Sequence, residues 1–163
     1  MINNIRPFPI LKLDDIVAGR DTRTTIMIRN IPVKYTEDLL RESLKEFNGK
    51  YDLLYFPYDY DRNMNKGYAF INFVNPLHIL YFYEKFNLKL WENSNSMICC
   101  ELFAASFDGI NKLQTNGRYY PIDEINKNII IPSKYIIKLK ERFPKMVYTE
   151  NNIKKIIIVE SFE

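Results

Sequence analysis

Histidine occurs once in this chain, at His78, and cysteine only twice, at Cys99 and Cys100. Zinc is held by about four Cys, His or carboxylate ligands, so this scarcity excludes a zinc site of the ordinary type. Asp59 and Asp61 share a loop that lacks the spacing and the glycine of a calcium site, and they are read as residues that shape the loop. No nucleophile has a histidine beside it, no acid and base are paired, and there is no phosphate loop. Catalysis therefore has no constellation to rest on. Adjacent cysteines almost never close an unstrained disulfide in an extended segment; we read both as reduced thiols of a reducing compartment, one buried and one at a surface. No window approaches about 18 uninterrupted apolar residues, and the start MINNIRPFPI lacks the basic-then-apolar pattern of a signal peptide. A soluble intracellular protein is expected, with no membrane partner, no cofactor and no small-molecule substrate. Positive charge is also modest, a net +3 with pI near 8.7. That falls short of a protein that holds nucleic acid by phosphate neutralisation alone.

What the chain has in quantity is rings, 12 Tyr and 11 Phe in 163 residues, within a hydrophobic share of 47%. A chain of this length buries one sizeable core, so one domain with extensions is expected. Residues 1 to 23, with Pro7 and Pro9 and the polar run GRDTR, read as an N-terminal arm rather than a packed element. In TTIMIRN, residues 24 to 30, Ile26 and Ile28 alternate with Met27 and Arg29, the period of a half-buried strand. Thr36 then offers an N-cap with Glu37 and Asp38 in the first turn, and Leu40, Leu44 and Phe47 recur at helical spacing until Asn48-Gly49.

A second strand is expected in YDLLYFP, residues 51 to 57, with Tyr51, Leu53 and Tyr55 on one face and Leu54 and Phe56 in the core. GYAFINF, residues 67 to 73, follows as the return strand of a hairpin. Asn75-Pro76 opens a second helix that runs to Phe86, with Ile79, Phe82, Tyr83 and Phe86 on one side. Residues 98 to 107 supply a fourth strand. The order β-α-β-β-α-β is the α+β, ferredoxin-like plan: a four-stranded antiparallel sheet with two helices on one face. That domain is placed at residues 24 to 108. Residues 109 to 163 form a C-terminal extension containing a helix from Ser133 to Phe143, ended by Pro144, with Ile136, Leu139 and Phe143 as its buried stripe. This extension is expected to pack back on the domain, on the rings Tyr81 and Phe82.

Pleating decides where the chemistry lies. If Ala69, Ile71 and Phe73 point into the core, Tyr68, Phe70 and Asn72 stand on the opposite face. Residues 66 to 73, KGYAFINF, match position by position the eight-residue signature of RNA recognition motif (RRM) domains, with Ile71 for the usual valine. In that fold outward rings stack on unpaired bases. The partner signature IMIRNI, residues 26 to 31, sits on the first strand with Met27 in the usual aromatic position and Arg29 facing the same way. A thioether is a softer platform than a ring, and a guanidinium can pair a phosphate or stack on a base. The expected contacts with single-stranded RNA are Met27, Arg29, Tyr55, Tyr68, Phe70 and Asn72, with Arg62 and Lys66 on phosphates. Phe103 joins them if Leu102 and Ala104 point inward. His78 is read as an ordinary surface or partly packed histidine, and Lys154 and Lys155 as a solvated face.

The strings GRDTRTTIMIRNIPVKYT, YDLLYFPYDY and NKGYAFINFVNPLHILYFYEKFN, with Leu90-Trp91, resemble the C-terminal RRM of the Mei-two-like family of meiotic RNA-binding proteins from about Leu13 to about Thr115. The family also has methionine at the position of Met27. The resemblance implies binding of single-stranded RNA, a role in the control of meiosis and residence in nucleus and cytoplasm. Two features depart from it: Ser106 stands where the family has a basic residue, and the tail after Gly117 has no counterpart. The alternative reading is a protein-interaction RRM whose sheet face is covered by its own tail or by a partner peptide.

Overall fold

The computed structural model describes residues 8–105, 118–119, 128–144, 147–150 and 155–158. Ser106 and Lys154 lie outside the described residues. The alternating segment forms strand β1 (Thr25–Arg29), and Thr36 caps helix α2 (Glu37–Ser43) by accepting from Leu39 N at 3.2 Å. Strands β2 (Tyr51–Tyr55) and β3 (Tyr68–Phe73) pair antiparallel, helix α3 (His78–Phe86) follows, and β4 (Glu101–Ala104) returns to β1. Asn75 Oδ1 accepts from Leu77 N at 2.9 Å in the turn before α3; the helix starts two residues later than Pro76, the first helical position expected, and its N-cap position is Leu77, with no side-chain cap. The expected plan is present, with strand order β4-β1-β3-β2. A fifth strand, β5 (Arg118–Tyr119), extends it on the β2 edge.

The core lies between this sheet and the helices, where Ile26, Ile28, Leu54, Ala69 and Ile71 meet Leu40, Leu44, Ile79 and Phe82. Much of the ring content is consumed here: Phe47 lies 5.0 Å from Phe82 and 6.1 Å from Phe73, both edge-on, the favoured arrangement of paired rings. Two expectations about β2 and the arm are corrected. Tyr51 was expected on the outer face, but a bulge between Tyr51 and Leu53 changes the register, pairs Tyr51 with Phe73 and turns its ring into the core. Within the supposed arm, Leu13–Ala18 forms a short helix, α1, whose Ile16 and Val17 are fully buried; Gly19 at φ 80° ends it.

Residues 128–142 pack on the helical side of the sheet. Strand β6 (Asn128–Ile131) lies against α3, and its Ile129 and Ile131 join the same core as Tyr81 and Phe82. After a single turn at Ser133–Tyr135, helix α4 (Ile136–Arg142) runs beside α1, burying Ile136 and Leu139 and partly burying Phe143, as the period indicated. Arg142 closes the contact: its Nη1 donates to Val17 O at 2.9 Å, satisfying a carbonyl at the open end of α1. Strands β7 (Val147–Glu150) and β8 (Lys155–Ile158) complete a second sheet in the order β6-β8-β7.

His78 is corrected from a surface or partly packed group to a core residue, 2% exposed and 6.2 Å from the Phe73 ring. Burial, with the nearby charge of Lys50, lowers its pKa from 6.5 to about 3. Between those values the unfolded chain binds the proton and the folded chain does not. Stability is therefore full above about pH 6.5 and falls as pH drops toward 3, by up to about 1.4 kcal/mol per unit. Urea titrations at pH 7 and pH 4 should show a smaller pH difference for His78→Leu than for the parent.

Candidate nucleic-acid interface

The outer face of the sheet is built from the residues that alternate away from the core. Register places Met27 between Phe70 on β3 and Phe103 on β4, and Arg29 between Tyr68 and Glu101. Tyr55 pairs with Phe70 across β2 and β3. The rings of Tyr55 and Phe70 meet edge-on at 6.3 Å and those of Tyr68 and Phe70 at 5.9 Å, so three half-buried aromatics form one row. Loss of water around Tyr68, with Tyr55 adding to it, raises the Tyr68 phenol pKa, so the Tyr68 hydroxyl stays a protonated donor at neutral pH. Leu102 and Ala104 point inward, which puts Phe103 outward.

One end of this face is closed. Asn72 was expected to face solvent, yet it is 8% exposed: its Oδ1 accepts from Thr24 Oγ1 at 2.7 Å and Thr25 Oγ1 at 2.6 Å, and its Nδ2 donates to Asp52 Oδ1 at 2.7 Å. A side-chain amide committed on both sides has little left for a ligand. Leu53, beside it, is 0% exposed. The available platform is thus Tyr55, Tyr68 and Phe70 with Met27, which is itself only 7% exposed at the floor of a groove.

That groove, about 1040 Å³, has Met27 and Phe70 below and Phe8, Arg20 and Arg23 at its sides. Phe8 comes from the segment before α1. Ala104 N donates to Pro9 O at 3.0 Å, which lays this segment along β4, and the Phe8 ring covers the Arg29 guanidinium at 4.3 Å and lies 5.4 Å from Phe103. Two expected RNA contacts, Arg29 and Phe103, therefore already hold a ring of the chain itself. Sequence reasoning missed Phe8; its position between Pro7 and Pro9, which favours extended backbone, was the available signal.

Lys66 is exposed at the start of β3, and Arg62 sits in the preceding loop with Asp59 at 3.8 Å. The same Asp59 accepts from Asp61 N and Arg62 N, which is how it shapes the loop. Cys100 is buried, and burial pushes its thiol pKa up, whereas Cys99 is half-buried. Among the described residues no cluster of His, Cys, Asp or Glu could hold a metal ion, and no helix is long and apolar enough to cross a membrane.

A β4-β1-β3-β2 antiparallel sheet with two helices behind it and a row of rings on the outside of its central strands defines an RNA recognition motif domain. The chain belongs to the RNA recognition motif 2 family, which matches residues 23–118, more than half of its length. It is similar to Protein MEI2-like 2 of Oryza sativa subsp. japonica, 48% identical over 100 residues that are 61% of this chain and 12% of the relative. It is similar also to Protein MEI2-like 5 of Arabidopsis thaliana, 47% identical over 104 residues, 63% of this chain and 13% of the relative. The resemblance to Mei-two-like proteins is thereby borne out over the RRM region, and the chain spans about a tenth of these relatives' length. Among solved structures, an RRM of Rna15 with bound GU RNA gives a TM-score of 0.46 at 18% identity, covering 56% of this chain and 93% of that one.

Proposed function

We propose that this protein is a non-catalytic, single-stranded RNA-binding module that stacks bases on Tyr68, Phe70 and Tyr55, with Met27 below them. The observation that carries this reading is the row of three rings held edge to edge on the outer sheet face, outside a core that has ample rings of its own. Base stacking on outward rings is worth about 1 to 3 kcal/mol per base. Lys66 and Arg62 then meet phosphates at the sheet edge. By family resemblance, the role is the control of meiosis or of RNA fate, in nucleus and cytoplasm. Selection from a random single-stranded RNA pool at fixed salt tests the reading. Enrichment of short motifs is expected, and a pool left unenriched overturns it.

Phe8 supports a refinement of the alternative in which the chain covers its own face. Its ring occupies the stacking position over Arg29 and beside Phe103, so RNA must displace it to use that position. A cation–π contact of this kind is worth about 0.5 to 1 kcal/mol at an exposed site, and the ring pair adds a similar amount. Phe8→Ala should therefore tighten RNA binding by roughly 5- to 30-fold, measured by fluorescence anisotropy. Weaker binding would make Phe8 a wall of the site instead.

A further inference from the structure

A second concavity opens beside Tyr68, at the end of the sheet where β1 and β3 meet the turn into α2. It is a cleft of about 680 Å³, within the roughly 300 to 1,000 Å³ that takes a small organic ligand. One wall is the turn from Ile31 to Tyr35, the other the segment from Asn93 to Ile98, and Arg29 and Tyr68 join it to the ring platform. Its charge is one-sided. Arg29, Lys34 and Lys66 line it and no carboxylate does, whereas the groove at Phe8 includes Asp15 and Asp21, and the cavity on the helical side includes Glu42, Glu46 and Glu92. Among the described residues, none of Arg29, Lys34 and Lys66 has an ion-pair partner.

The cleft is also built rather than incidental. Asn65 is buried, and its Nδ2 donates to Pro32 O at 2.7 Å and Tyr35 O at 3.0 Å while its Oδ1 accepts from Gly67 N at 2.7 Å. This single amide fastens the turn to the start of β3. Tyr35 donates its hydroxyl to Glu92 O, and Asn30 Nδ2 donates to Cys99 O at 2.9 Å, so the far wall is tied at both ends. Ser94 Oγ accepts from Ser96 N and Ser96 Oγ from Ile98 N. Each hydroxyl still has its O–H to donate. Ile98 and Val33, both exposed, add apolar surface.

We propose that this cleft is a further RNA subsite, taking one nucleotide next to the base stacked on Tyr68. Its phosphate lies between Lys34 and Lys66, and its base lies against Ile98 and Val33 with the Ser94 and Ser96 hydroxyls at its polar edge. The inference rests on the base-stacking reading above and extends the bound strand beyond the sheet. One-sided positive charge, continuity with the ring platform and a pre-tied wall favour a polyanion whose units carry a flat apolar part.

Fluorescence anisotropy with labelled random-sequence single-stranded RNA of four and of ten nucleotides tests this. Lys34→Glu should weaken the ten-nucleotide RNA by about tenfold and lower the slope of log affinity against log salt by roughly 0.7, the contribution of one phosphate on a single strand. The four-nucleotide RNA, held mainly by the rings with Lys66 and Arg62, should bind nearly as before. Lys89→Glu, the same charge change on the helical side, should leave both RNAs unchanged. Loss confined to Lys34→Glu and the longer RNA supports the subsite. No loss, equal loss on both lengths, or equal loss from Lys89→Glu overturns it. The stacking reading fails on a separate observable, undiminished binding of the four-nucleotide RNA when Tyr68 and Phe70 are both alanine.

Discussion

Replacing Tyr68 and Phe70 together by alanine should weaken single-stranded RNA binding by about 2 to 6 kcal/mol, which is roughly 30-fold to more than 10,000-fold. Each ring offers one stacking face, and neither belongs to the core cluster, so the change removes contact with bases without opening a cavity among Ile26, Ile71 and Phe82. The strand itself is held by backbone pairing on both sides, to β1 and to β2. The melting temperature should shift little while affinity collapses. Circular dichroism melts beside anisotropy titrations separate the two effects. A large fall in melting temperature would show that the rings support the fold, and unchanged affinity would place the RNA elsewhere.

The second large effect concerns stability. Ile131→Ala should destabilise the protein by about 2 to 5 kcal/mol, because it removes a fully buried side chain and leaves a cavity that the surroundings close only in part. The residue lies in β6, beyond the segment that matches the RRM family, yet it packs into the core that α3 covers. We therefore propose that the C-terminal extension and the RRM unfold as one unit. Urea denaturation should show a single transition displaced to lower denaturant with an unchanged slope. Two separate transitions, only one of which moves, would mean that the extension is an independent appendage.

The site was legible to different degrees. Tyr68, Phe70 and Tyr55 could be placed on the outer face because a strand alternates strictly, and because Ala69 and Ile71 identify the inner side. Tyr51 failed the same rule, since a bulge adds one residue and reverses the face of everything beyond it. Asn72 obeyed the alternation but not the inference drawn from it. It faces outward and is nonetheless enclosed by Thr24, Thr25 and Asp52, partners that lie 20 or more positions away in sequence. His78 misled for a related reason: helical position says which face a residue occupies, but not that Phe73 and its neighbours close over it.

By itself the sequence determined the β-α-β-β-α-β order of the domain, the two signature strands, the cap at Thr36 and the row of outward rings. All of these follow from periods of two and 3.6 residues and from local hydrogen bonding. Tertiary structure alone decided that Phe8 lies on Arg29, that Arg142 closes the end of α1, and that Asn65 and Tyr35 tie together the walls of a cationic cleft. Each of those contacts joins residues at least 21 positions apart, and only the packed chain sets such distances.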